Sequence, residues 1–336
     1  MKFNIVIPTR NRGAELKRQL NSLNQQVRSI SDFLDLNRID LKIIVNDNNS
    51  DESVSDVTSL NGYFFRSYDV GGNHNWVLSI SEFECDFVWT LGDNMPLADG
   101  ALQTVLAHTL NNRSSDVIVF YPTDNLSANK TMVSNNCLEI LNMIPDFGRL
   151  IHISSIVVRH AAFLEGISDI ILYQSTFFPQ FIYQIQCLNK NTHCLIYEDL
   201  FSTEGGGQRA PRDVYAVSAL VCYSFDIMEL FLDRKETRAY QRLIRNTRKT
   251  WLTPKGVLYE ICKLGQKNSF LYGQGLKMMS KGTSVAYTGL FKGLFWRFAG
   301  LLILRYSLFR NMYIRLYEYN RGFSVVFRNS LKRWDA

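Results

Sequence analysis

Sulfur chemistry and metal fingers are among the first classes this sequence excludes. Its six cysteines (85, 137, 187, 194, 222 and 262) form no CxxC pair, and its five histidines fall at no finger-like spacing. A structural zinc site needs clustered ligands, so none is expected. Scattered thiols in a chain of 336 residues read instead as reduced core residues of a cytosolic protein. Long apolar runs are missing too: none reaches the roughly 18 residues of a spanning helix. The opening MKFNIVIPTRNR has an apolar stretch too brief for a signal-peptide core, so cytoplasmic retention is expected. No internal repeat and no low-complexity tract stands out.

What is present is a packed body with an uneven charge. Hydrophobic residues make up 46% and charged residues 20%, the balance of a folded chain with a sizeable core. Up to residue 232 there are 16 Lys and Arg against 26 Asp and Glu; from 233 onward there are 21 against 5. An acidic body followed by a basic, aromatic-rich region predicts that the latter meets an anionic surface.

Along the chain, apolar runs at 3–8, 41–45, 64–68, 87–91 and 117–121 predict strands. Helical spacing follows Asn11, a candidate cap, with Leu16, Leu20 and Leu23 on one face, and further helices are expected near 74–82 and 99–111. This alternation predicts an α/β fold whose sheet is mostly parallel and flanked by helices. In such sheets ligands gather at the carboxyl ends of the strands. Three of those ends are polar clusters here: Pro8, Thr9, Arg10, Asn11 and Arg12; then Asn46, Asp47, Asn48, Asn49, Ser50 and Asp51; then Gly92, Asp93 and Asn94. The glycine-rich STEGGGQRAPRD, 202–213, predicts a boundary. The expected division is a catalytic domain over 1–204, a loop over 205–213 and a helical basic region over 214–336.

IVIPTRNR, IIVNDNNSDES, GGNHNW and FVWTLGDN, in that order, resemble the family 2 glycosyltransferases of the GT-A, Rossmann-like fold. The last motif is similar to a branch whose strand ends in Gly-Asp-Asp-Asp. The resemblance covers roughly residues 3–110. It implies a sugar transfer from a nucleoside diphosphate sugar to a saccharide acceptor, lipid-linked in surface polysaccharide, lipopolysaccharide or O-antigen assembly, with inversion. It implies that Asp47, with Asn48, holds the nucleotide base, that Asn75 lies near the donor, and that the third strand end binds Mg²⁺ or Mn²⁺.

Each residue also has an ordinary reading. Asp47 at a strand end suits a base N–H, yet a loop carboxylate closing a turn with Asn49 would look the same. Residues 9–12 offer cations and amides to a diphosphate. Asn75 could equally cap the helix beginning near Trp76. At the metal position only Asp93 is acidic; Asn94 is a neutral oxygen donor and Met95 a poor ligand for a hard ion. A cation would be held loosely by Asp93 and Asn94, or else Asp93 would hydrogen-bond the sugar or ribose directly. Arg209 and Arg212 in the glycine-rich loop could meet the diphosphate instead, or the loop could be a plain linker. A transfer of this kind needs a carboxylate base. Gln180 stands where relatives carry an acid; of the nearby acids Asp169, Glu198 and Asp199, the candidate is Asp199, which follows the apolar run 194–197 and has a cap or turn as its ordinary role.

Residues 290–315 mix Phe, Trp, Tyr and Leu with Lys292, Arg297, Arg305, Arg310 and Arg315. This suits a helix lying on the inner face of a membrane as a peripheral anchor. A helical domain packed on the body is the alternative. Nucleic acid is not expected, because no such motif accompanies the charge. Two rival functions remain open: a nucleotide-sugar-binding scaffold without activity, and a sugar nucleotidyltransferase. The second normally carries a glycine-rich loop after its first strand, which PTRNRG lacks.

Overall fold

The computed structural model describes residues 1–51, 63–67, 72–95, 97–121, 131–143, 153–173, 192–198 and 200–201, and helical pieces at 235–236, 238–239, 258, 262, 298–299, 302–303 and 305–316. The chain divides into two compact units, Met1–Ala210 and Pro211–Ala336.

The first unit is built on strands β1 (Lys2–Thr9), β2 (Asp40–Asp47), β3 (Tyr63–Ser67), β4 (Phe87–Thr90), β5 (Val117–Tyr121), β6 (Thr131–Ser134), β7 (Ile156–Arg159) and β8 (His193–Tyr197). Among the described residues they form one sheet in the order β3-β2-β1-β4-β7-β5-β8-β6. Pairing is parallel throughout β3-β2-β1-β4 and again between β5 and β8. β7 lies antiparallel between β4 and β5, and β6 antiparallel at the edge on β8. β1, β2, β4, β5 and β8 therefore all point their carboxyl ends to one edge.

β1 is central, and Phe3, Ile5, Val6 and Ile7 are fully buried, which is why its apolar run is continuous and not alternating. Pro8 is tolerated in it for a local reason. The Val6 carbonyl accepts the Leu91 N–H on the β4 side (2.8 Å), and the Thr9 carbonyl accepts the Asn48 N–H on the β2 side (2.8 Å). By alternation Pro8 faces the β4 side, where pairing has already ended at Val6 and Thr90, so its missing N–H leaves no ladder partner unpaired.

Helices α1 (Gly13–Ser29), α2 (Ser31–Leu36), α3 (Gly72–Ser81), α4 (Ala101–Asn111), α5 (Cys137–Met143), α6 (His160–Glu165) and α7 (Ile167–Tyr173) complete the described part of this unit. α1 buries Leu16, Gln19, Leu20, Leu23 and Gln26, one stripe at helical period. That stripe joins Val105 and Leu106 of α4 and Ile5, Ile7, Trp89 and Phe120 of the sheet in the main core. α4 starts after Gly100, which sits at φ 75 and offers no side-chain cap. The cap comes instead from α1: Gln26 Oε1 accepts the Leu102 N–H (2.9 Å), and its Nε2 donates to the Ala98 carbonyl (3.0 Å). Trp76 of α3 meets Phe163 of α6 edge-on at 5.6 Å.

Two expected features differ. Asn11 does not cap α1: the N-cap position is Arg12, and no side-chain hydrogen bond caps it. Asn75 is not a cap either, because α3 begins at Gly72. The described cysteines Cys85, Cys137, Cys194 and Cys262 are buried and free, with the Cys85 and Cys194 thiols pushed up to about 12 by burial.

In the second unit, Ala239, Leu258, Cys262 and Ile314 are buried. Residues 307–316 are helical, and the Tyr306 N–H to Leu302 carbonyl bond (3.3 Å) carries the helical pattern upstream. Among the described residues no helix is long and apolar enough to cross a membrane.

Candidate functional site

The polar ends of β1, β2 and β4 are tied into one cluster at the carboxyl edge of the sheet. Asp93, two residues past the buried Leu91, is 4% exposed. Its Oδ2 accepts the Thr9 hydroxyl (2.8 Å), and its Oδ1 accepts Nη1 of Arg12 (3.0 Å). Burial pushes the Asp93 carboxyl above its ordinary range, against the opposing pull of Arg12 and Thr9. The turn carrying it is fixed from below. Ser154 Oγ accepts the Gly92 N–H (2.8 Å), and the Ser154 carbonyl accepts Nε1 of Trp89 (2.7 Å). A Cβ on Gly92 would lie 3.0 Å from Met95 Cγ and 3.3 Å from Ser154 Oγ, which accounts for glycine there.

The loops after β1 and β2 clasp each other. Asn11 stands at φ 55. Its amide donates to Asp51 Oδ2 and its Oδ1 accepts the Asp51 N–H, each at 2.8 Å. The Asn11 N–H also reaches Ser50 Oγ at 2.8 Å. Asp47, 3% exposed, accepts the Ser50 N–H at 3.1 Å and the Ser50 hydroxyl. It does close a turn, on Ser50 and not on Asn49. Asn75 is a strut: its amide donates to the Asn46 carbonyl (3.2 Å), tying α3 to the end of β2. Asn75 Oδ1 and Asn46 Oδ1 are buried without a hydrogen-bond partner among the described residues.

Thr9, Arg12 and Asp93 are thus in direct contact, Asn11 and Asp47 are linked through Ser50, and Asn48 and Asn75 buttress the same edge. Pro8 ends β1 beside them, Arg10 is exposed in the loop, and Asn94 follows Asp93 half-buried. Asp199 and Arg209, with Arg212, lie outside the described residues. The neighbours of Asp199 can be placed: Glu198 Oε2 meets His108 Nε2 at 2.7 Å, and the Leu200 carbonyl accepts the Ala98 N–H at 2.9 Å. Leu97 bridges Phe201 in the antiparallel sense, so the chain leaving Asp93 runs against the chain leaving β8.

Ser50 was read as part of the second polar strand end but given no partner, and Ser154 and Gln26 escaped the sequence reading. A serine in a loop has many partners open to it, and Ser154 lies 62 positions from Gly92.

The donor set suits a divalent cation poorly. Among the described residues no group of three or more His, Cys, Asp or Glu is placed to hold one. Asp93 is the single acid at its strand end, and a cation on Oδ1 would lie beside the Arg12 guanidinium, where like charges repel.

Residues 4–164 match the family described as glycosyl transferase family 2. No curated relative matches the chain. Among solved structures, TarS 1–349 of S. aureus in complex with UDP is 12% identical, with 91% of each chain covered and a TM-score of 0.52. The mannosyltransferase PcManGT of Pyrobaculum calidifontis, in complex with GDP-Man and Mn²⁺, is 8% identical, covering 91% of this chain and 87% of its own, with a TM-score of 0.50. At these identities the structures establish the GT-A fold, and the family match supports a glycosyltransferase.

Proposed function

We propose that this protein transfers a sugar from a nucleoside diphosphate donor to a saccharide acceptor, lipid-linked, in the assembly of a surface polysaccharide such as lipopolysaccharide O-antigen. The observation that carries this reading is the cluster at the carboxyl edge, where the ends of β1, β2 and β4 are joined through Asp93, Asn11 and Ser50. Ligands in parallel sheets gather at that edge. Fold alone does not fix chemistry; the family match over 4–164 adds the sugar transfer.

In this reading the base lies against Asp47 and Asn48, and the ribose and diphosphate extend past Thr9, Arg10, Asn11 and Arg12 toward Asp93, with Asn75 bracing β2. Arg209 adds a further cation from the glycine-rich loop. The acceptor hydroxyl oxygen attacks the anomeric carbon as the bond to the diphosphate breaks. The electron pair leaves with the diphosphate, the hydroxyl proton passes to Asp199, and the configuration inverts. Support for Asp199 is the course of the chain around it, since residues 97–98 and 200–201 are paired.

The membrane is the second partner. Phe298, Leu302, Tyr306, Phe309, Met312 and Leu316 are all exposed and stand three or four positions apart in the sequence, with Arg305 and Arg315 among them. Such a series fits a lipid headgroup layer on the cytoplasmic face.

The test is to incubate the protein with UDP-, GDP-, CDP- and dTDP-sugars and lipid-linked saccharides and to follow nucleoside diphosphate release by mass spectrometry. Release from one donor that requires an acceptor, and that fails in Asp47→Ala, is expected. Nucleotide binding without transfer to any acceptor would leave the scaffold reading in its place.

A further inference from the structure

We propose that the donor's diphosphate is bound without a divalent cation, by the Arg12 guanidinium that Asp93 and Thr9 hold at the carboxyl end of β4. This rests on the nucleotide-sugar reading above and goes beyond it by naming what supplies the positive charge.

A departing diphosphate needs its growing charge met by something preorganised. A metal can do this when anionic oxygens hold it. Here the strand end offers Asp93, a neutral amide at Asn94 and a thioether at Met95. Among the described residues, the other carboxylates of this edge have partners: Asp47 is engaged by Ser50, Asp51 by Asn11, and Glu15, whose charge also acts on Asp93, faces Arg18 at 3.9 Å. The cation built into this edge is Arg12. Its Nη1 is 3.0 Å from Asp93 Oδ1, with the arginine side chain 37% exposed and the aspartate side chain 6%. Thr9 holds the other carboxylate oxygen at 2.8 Å, so the carboxylate is gripped on both oxygens and resists rotation.

A guanidinium has five N–H donors in a planar fork. One is used on Asp93, which is the single hydrogen-bond partner of this guanidinium among the described residues. The other donors remain for a ligand with several oxygens in a plane, as a phosphate presents. The adjoining N-terminus of α1, without a side-chain cap, adds positive potential of the same sense. Arg12 would thus contact the donor, and Asp93 would act as the positioning residue that fixes the guanidinium. The sequence offered Arg10 and Arg12 after β1 and Arg209 and Arg212 in the glycine-rich loop for this role; of these, Arg12 is the one that Asp93 holds in place.

The experiment is calorimetric titration of the full chain with UDP, GDP, CDP and dTDP, first in chelator and then in excess MnCl₂, with each matching nucleoside as reference. One diphosphate is expected to bind with affinities that agree within about twofold in the two buffers. Arg12→Ala should weaken that diphosphate by about tenfold to a hundredfold, the loss of a charge-assisted contact, while the nucleoside binds as before. Arg12→Lys should recover part of the loss. Tightening of the wild-type protein by Mn²⁺ beyond about tenfold would overturn the proposal while leaving the nucleotide reading standing. So would an Arg12→Ala protein that binds the diphosphate as tightly as wild type in chelator. No binding of any nucleotide would remove both. The wild-type comparison does not depend on the variant folding.

Discussion

Asp93 shows how two opposing effects compete on one side chain. Arg12 and Thr9 favour its anion, burial disfavours it, and burial wins, so the carboxyl is raised. The folded state then prefers the protonated form relative to the unfolded chain. The contribution of Asp93 to stability is fully present below the ordinary carboxylate pKa and is lost as pH rises through the raised folded value. Asp93→Asn removes this titration. The melting temperature of wild type minus that of the variant should therefore fall between acid and neutral pH. A difference that stays level or grows with pH would mean that the ion pair, and not burial, governs the group.

The placing of α4 depends on a cap supplied by another helix. Gly100 contributes a left-handed turn and no side chain, so beyond the Ala101 N–H, which donates to the Ala98 carbonyl (3.1 Å), the first turn of α4 needs an acceptor from elsewhere. Gln26 of α1 provides one, and holds the preceding carbonyl of Ala98 with the same amide. α4 follows the strand end that carries Asp93, so this pair of bonds also sets where the loop 91–100 leaves the sheet. Gln26→Ala should lower stability by about 1–2 kcal/mol, the cost of a lost cap and a buried unpaired N–H. Urea denaturation measures it. A loss below about 0.3 kcal/mol would show that water replaces the glutamine there.

Charge over the full chain, and apolar exposure among the described residues, differ between the two ends of the sequence. The acidic first part carries the sheet and the polar edge; the basic later part exposes Phe298 at 72% and Leu308 at 74%. Large exposed apolar groups beside arginines favour an anionic bilayer over water. The protein should sediment with phosphatidylglycerol vesicles more than with phosphatidylcholine vesicles, and less so as salt rises. Phe298→Ser with Leu308→Ser should weaken that binding without affecting nucleotide affinity. Binding to neither vesicle would mean that this side packs against protein.

Strand–helix alternation, the parallel sheet and the three polar strand ends were legible because they depend on local patterns: apolar runs for buried strands, helical spacing of leucines, polar residues where a strand leaves the core. Observed strands at 2–9, 40–47, 63–67, 87–90 and 117–121 fall within a residue or two of the sequence expectations. The short antiparallel β6 and β7 were not legible, since about four residues carry too little period to separate strand from loop. Nor were the contacts that give the edge its chemistry. That Arg12 meets Asp93, Asn11 meets Asp51 and Ser154 holds Gly92 depends on partners 40 to 81 positions apart, which the sheet order alone brings together. The sequence by itself determined that carboxylates, amides and arginines would crowd the ends of three strands. Only the tertiary structure decided which of them pair, because hydrogen bonds are set by distance and direction in space and not by spacing along the chain.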